Sequence, residues 1–155
     1  MNNLDESYAE SGIGSVFVYT NEAHPGEYYP HHETMQQKYD HARALKEELG
    51  VNRPILLDGI DGACHQTYGG MPNMSWIISK SGIPVYKSDW TDVHSVRNAI
   101  DYFLDVRSRR RSGARLSSFN VERLDYRDND REAFYEGLER NGPKAVVEFR
   151  EAFGR

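Results

Sequence analysis

Cysteine is nearly absent from this chain: Cys64 is the only one in 155 residues. No internal disulfide and no CxxC pair can form, which excludes two-thiol redox chemistry within the chain. That usage fits a reducing compartment. No apolar run approaches the ~20 residues a bilayer span requires. The opening Met1-Asn-Asn-Leu-Asp-Glu-Ser has neither a basic region nor an apolar stretch, so it does not read as a secretory signal and a cytoplasmic setting is expected. A formal net charge of −5 argues against a general nucleic-acid binder and leaves a small molecule or a second copy of the chain as the expected partner. Histidines do occur, at His24, His31, His32 and His41, with Glu33 among them. None stands at HxxxH or HExxH spacing, so neither a metal site nor a cofactor is expected.

With 38% hydrophobic and 28% charged residues, the chain can bury one core and stay in solution. Residues 4–11 read as a short helix closed by Gly12. Ser15-Val-Phe-Val-Tyr-Thr20 is β-branched and aromatic and reads as a strand buried on both faces. Met35, Tyr39, Ala42, Leu45 and Leu49 recur at helical spacing, with Gly50 placed to end the helix in a left-handed cap. Pro54-Ile-Leu-Leu57 reads as a second buried strand. A connection of this length implies parallel pairing.

Ser75–Ser79 and Ile83–Tyr86, joined by Lys80-Ser81-Gly82, read as an antiparallel hairpin. Pro84 lacks an amide hydrogen and belongs at a sheet edge. Met71-Pro72 reads as a simple turn. Thr91 is the expected cap of a helix whose apolar face is Val93, Val96, Ile100, Phe103 and Leu104. The fold class is therefore α/β, a parallel βαβ unit followed by a hairpin and a helix, expected to span residues 1–106.

Residues 107–118 are rich in Arg, Ser and Gly and read as an exposed link, the arginines also suiting a solvated helix end. Residues 119–126 suit a strand or an extended arm. Asp130 can cap a helix through Arg140, and Pro143 can open another carrying Ala145, Val146, Phe149 and Phe153. The segment 107–155 is expected to pack on the same domain or on a partner.

Open α/β sheets place ligands at the carboxyl ends of their strands, which brings forward Thr20-Asn-Glu-Ala-His-Pro25. Glu22 and His24 are two residues apart, so extended chain would point them the same way, the carboxylate fixing and polarising the imidazole as a proton carrier. Cys64 is expected in the first turn of a helix capped by Asp61, where a thiol can become more acidic.

Val18-Tyr-Thr-Asn-Glu-Ala-His-Pro25 resembles the strand-end motif of the iodothyronine deiodinase family, a branch of the thioredoxin-like proteins. The similarity continues through Tyr29-Pro-His-His32, Asp58-Gly-Ile-Asp61 and Tyr68-Gly69, over roughly residues 4–104. It implies a thioredoxin-like sheet, a catalytic pocket containing Tyr19, Glu22 and His24, and ligand-contacting positions at His32, Tyr68 and Met74. The family's first strand and its selenocysteine or cysteine turn have no counterpart here, so reductive deiodination is not expected. The place of that strand is expected to be filled by a partner chain or by the tail.

Three functions follow as expectations. The first is an enzyme using Tyr19, Glu22 and His24 for acid–base chemistry on a small, aromatic or phenolic molecule. The second is a dimeric binding or assembly protein. The third is a one-cysteine oxidoreductase built on Cys64.

Overall fold

The structure, a computed structural model, describes residues 1–116 and 130–154. It is mixed α/β, and its contacts divide the chain into two compact units: Met1–Pro72 with Asn129–Arg155, and Asn73–Asp128.

In the first unit, helix α1 (Asn2–Tyr8) and a 3-10 turn (Ala9–Ser11) lead to strand β1 (Phe17–Tyr19). Strand β1 pairs in parallel with β2 (Ile55–Leu57), Phe17 opposite Ile55 and Tyr19 opposite Leu57. Helix α2 (Met35–Glu48) connects them and packs on β2. It starts with a capping box: Thr34 accepts from the Gln37 amide at 3.2 Å, and the Gln37 side chain accepts from the Thr34 amide. Gly50 follows it at φ +59°, as a left-handed cap requires. Short α3 (Ala63–Tyr68) comes after β2.

Two expectations about this unit change. The strands alternate instead of being buried on both faces: Val18 and Leu56 are 38% and 52% exposed, while Tyr19 is buried. Helix α2 forms where its periodicity placed it, but of its expected apolar face only Ala42 is buried. Met35, Tyr39 and Leu49 are exposed, and the buried positions are Lys38 and Ala42. The charged Lys38, unreadable as core, takes the deepest place.

The tail helices α5 (Arg131–Asn141) and α6 (Pro143–Phe153) belong to this unit. Asp130 caps α5 by accepting from the Ala133 amide at 3.0 Å, and Pro143 opens α6. Their junction grips residues 24–28. The Asn141 side-chain amide donates to the His24 carbonyl at 2.7 Å, and the Tyr28 amide donates to the Asn141 carbonyl at 3.1 Å. The Glu27 carboxylate accepts from the Lys144 amide at 2.9 Å. Two glycines make this approach possible. A Cβ on Gly26 would overlap the Asn141 carbonyl, and one on Gly142, at φ +116°, would overlap Glu27.

The second unit holds the antiparallel pair β3 (Ser75–Ile78) and β4 (Pro84–Ser88), with Ser75 opposite Ser88 and an irregularity at Ile77/Ile78. Helix α4 (Val93–Arg111) follows, burying Val96 and Ile100. Its cap is Asp92, which accepts from the Ser95 amide at 2.7 Å, and not Thr91. A carboxylate adds charge–dipole attraction to the hydrogen bond. The arginines from Arg107 to Arg111 continue the helix, in keeping with the reading of a helix end, and Arg109, Arg110 and Arg111 fill its last turn. Among the described residues the strands form two two-stranded sheets, β1 with β2 and β3 with β4. The segment 119–126 lies outside the described residues. No helix among the described residues is long and apolar enough to cross a membrane.

Candidate functional site

Strand β1 ends at Tyr19, and its carboxyl end opens the site as expected for an α/β arrangement. The Tyr19 hydroxyl donates to the Glu22 carboxylate and lies 3.4 Å from His32 Nε2. His32 Nε2 is 3.1 Å from His41 Nδ1. Glu22 Oε1 lies 3.9 Å from His32 Nε2 and 3.6 Å from His41 Nδ1. One carboxylate and two imidazoles thus converge, their donor atoms all within 4.8 Å of one another. All three side chains are largely withdrawn from solvent, at 15%, 4% and 13% exposure for Glu22, His32 and His41. Among the described residues, no lysine or arginine pairs with Glu22.

Burial, then the neighbouring His41, Lys38 and His31, pushes His32 down to about 4, so it is a neutral imidazole near pH 7. Burial and the hydrogen bond to Glu22 raise Tyr19 far above the ordinary phenol value, which keeps its proton in place. Tyr29 meets His41 edge to face at 5.1 Å and donates to Glu48 at 2.7 Å, a bond that pushes it up to about 12.

His24 does not join this group. The strand ends before it, so the alternation that would align it with Glu22 is lost. Its ring packs edge-on between Phe134 and Phe149, 5.6 Å from each centroid. Burial lowers its pKa, with no carboxylate at hand to raise it. The expected pairing in which Glu22 orients His24 is therefore replaced by one in which Glu22 meets His32 and His41.

A polar cavity of about 260 Å³ lies beside the cluster and shares His32 with it; Lys38, Asp58, Gly59 and His65 line its wall. Asp58 directly follows β2, and its two oxygens accept from the amides of Cys64 and His65, each at 2.9 Å. Burial pushes Asp58 upward, but the amides of His65, Cys64 and Gly59 outweigh it and hold the carboxyl below its ordinary value. Asp58 thus secures the start of α3, where Asp61 was expected to. Asp61 reaches only the Ala63 amide, at 3.4 Å. Cys64 is half-buried in that first turn. Tyr68, at the end of α3, is 41% exposed and outside the cavity lining. Met74 belongs to the other unit, one residue before β3.

Of the site residues expected from sequence, the structure gathers Tyr19, Glu22 and His32, and leaves His24, Cys64, Tyr68 and Met74 outside the cluster. His41 was weighed with the other histidines and set aside on spacing; it stands on α2, beyond the intervening loop from His32. Lys38 and Asp58 were missed as cavity residues. No sequence signal set Lys38 apart, since a charged side chain on a helix reads as solvated surface. Comparison with family models, with curated proteins and with solved structures finds no match for this chain.

Proposed function

We propose that Glu22, His32 and His41 hold one divalent transition-metal ion, and that the chain is a metal-dependent enzyme acting on a small molecule admitted by the adjoining cavity. The convergence of the three donor atoms carries this reading. Tetrahedral ligands about 2.05 Å from zinc stand about 3.3 Å apart. The observed separations of 3.1, 3.6 and 3.9 Å bracket that value. Two imidazoles and one carboxylate are the donor types such ions take, with a position left for substrate or water. Tyr19 serves as the outer partner that orients Glu22 through its hydroxyl. A bound ion would supply Lewis acidity and a more acidic water.

The thioredoxin-like reading of the fold belongs to the same proposal. Its support is the order of elements, a parallel βαβ followed by an antiparallel hairpin and a helix. The exposed Val18 and Leu56 suit a sheet face that a further element would cover.

Titration of the purified protein with cobalt(II) tests the metal reading. A single saturable site with visible d–d absorption is expected in the wild type, and Glu22→Gln and His41→Ala should each weaken it at least about tenfold. A protein whose spectrum shows only free cobalt would overturn the reading. The Tyr19–Glu22–His32 hydrogen-bond chain would then stand as a metal-free acid–base pocket of the kind the sequence suggested.

A further inference from the structure

The wall of the cavity away from the metal ligands carries hydrogen-bonding capacity that the protein does not use. Lys38 is 2% exposed, and its ammonium donates to the Gly59 carbonyl at 3.1 Å. An ammonium has three N–H groups. No second acceptor for it occurs among the described residues. Across the same cavity, His65 Nε2 is shielded from solvent and has no hydrogen-bond partner. Buried polar groups are almost always satisfied, so an unpartnered imidazole nitrogen and a partly satisfied ammonium on residues lining one space call for an occupant.

The other charged and polar groups narrow what that occupant is. Both oxygens of Asp58 are engaged by backbone amides, so they offer little to a donor. Gln66 turns its amide to the Asp61 carbonyl. The start of α3 has already been taken by Asp58. The lining therefore offers one lysine and the His65 imidazole, with His31, His32, Thr20 and Asn21 also among its residues. Asp58 and Asp61 both act electrostatically on Lys38 and offset its charge. A singly charged ligand suits that balance better than a doubly charged one.

We infer that Lys38 and His65 bind the carboxylate of a small organic acid, seated in the cavity that borders Glu22, His32 and His41. This rests on the metal reading only for the claim that the acid is a substrate; the binding site stands on its own residues. A carboxylate accepts from the ammonium and from the imidazole N–H together, and such charge-assisted bonds are the strong ones. The rest of the molecule would extend past His32 toward the metal ligands.

The test is a titration with sodium acetate, sodium benzoate and sodium phosphate at matched ionic strength, in chelator. Binding is read by NMR shifts of the Gly59 and Gly62 amides and of the His65 ring. Saturable shifts with benzoate or acetate are expected. Lys38→Met and His65→Phe should each weaken binding about tenfold or more. Thermal unfolding shows whether each variant is folded, and the wild-type titration decides the case if either is not. Absence of saturable shifts in the wild type would overturn the site. Tighter binding of phosphate would overturn the carboxylate assignment. Glu22→Gln separates the two proposals: it should lose cobalt and keep benzoate. Loss of benzoate in that variant, while folded, would overturn the assignment to Lys38 and His65.

Discussion

His24 and His32 stand at either end of one loop, and burial lowers the pKa of both. Their surroundings otherwise share little. His24 is enclosed by Phe134 and Phe149, part of an aromatic group that continues to Tyr135 and Phe153. His32 touches Tyr19, Glu22 and His41, each bearing a polar atom aimed at the next. Loss of hydration therefore says little about a histidine's role. What replaces the water decides it: rings around His24 give cohesion, and donor atoms around His32 give chemistry.

Four substitutions probe that contrast. The largest effect is expected from Phe149→Ala, which removes a ring shared by His24, Phe134, Tyr135 and Phe153. Unfolding free energy from denaturant titration should fall by about 3 kcal/mol. Cobalt binding should persist wherever the variant is folded. Its loss in folded protein would show that the two neighbourhoods are one.

Asp58→Asn should cost about 1 kcal/mol near pH 7, because it weakens acceptance from the first-turn amides of α3. The native carboxyl titrates below its unfolded value, so its contribution is fully present above about pH 4 and is lost as pH falls through the folded value. Urea unfolding between pH 7 and pH 3 should show this acid loss diminished in the variant. An unchanged acid limb would place the linkage elsewhere.

His24→Phe should be the mildest, within about 1 kcal/mol of wild type, since a ring of similar volume enters an aromatic site. Cobalt binding should not change. His32→Phe, equal in chemistry, should abolish cobalt absorption, and equal behaviour of the two variants would dissolve the comparison.

Periodicity and caps located most of the elements, because those signals are local. The 3.6-residue spacing found α2 and α4, and Asp130 and Pro143 marked the tail helices. The burial of Lys38 was hidden because charge normally reports exposure, and only the cavity and the Gly59 carbonyl make its place tolerable. The cluster was half legible. Tyr19, Glu22 and His32 were named, but His41 joins them only through the path of the loop. His24 lies apart from them because the i, i+2 rule holds in strand and the strand stops at Tyr19.

The capping box at Thr34 has a consequence for how the centre is encoded. His41 stands seven positions beyond that cap (41 − 34), close to two turns of helix. The imidazole is therefore set by angular phase measured from a fixed origin. One residue inserted between Thr34 and His41 would swing it by about 100° and dismantle the cluster. Residues added before Pro30 would leave that phase untouched. The centre is written as a loop held at residues 24–28 followed by a ruler, a form that motif spacing cannot reveal.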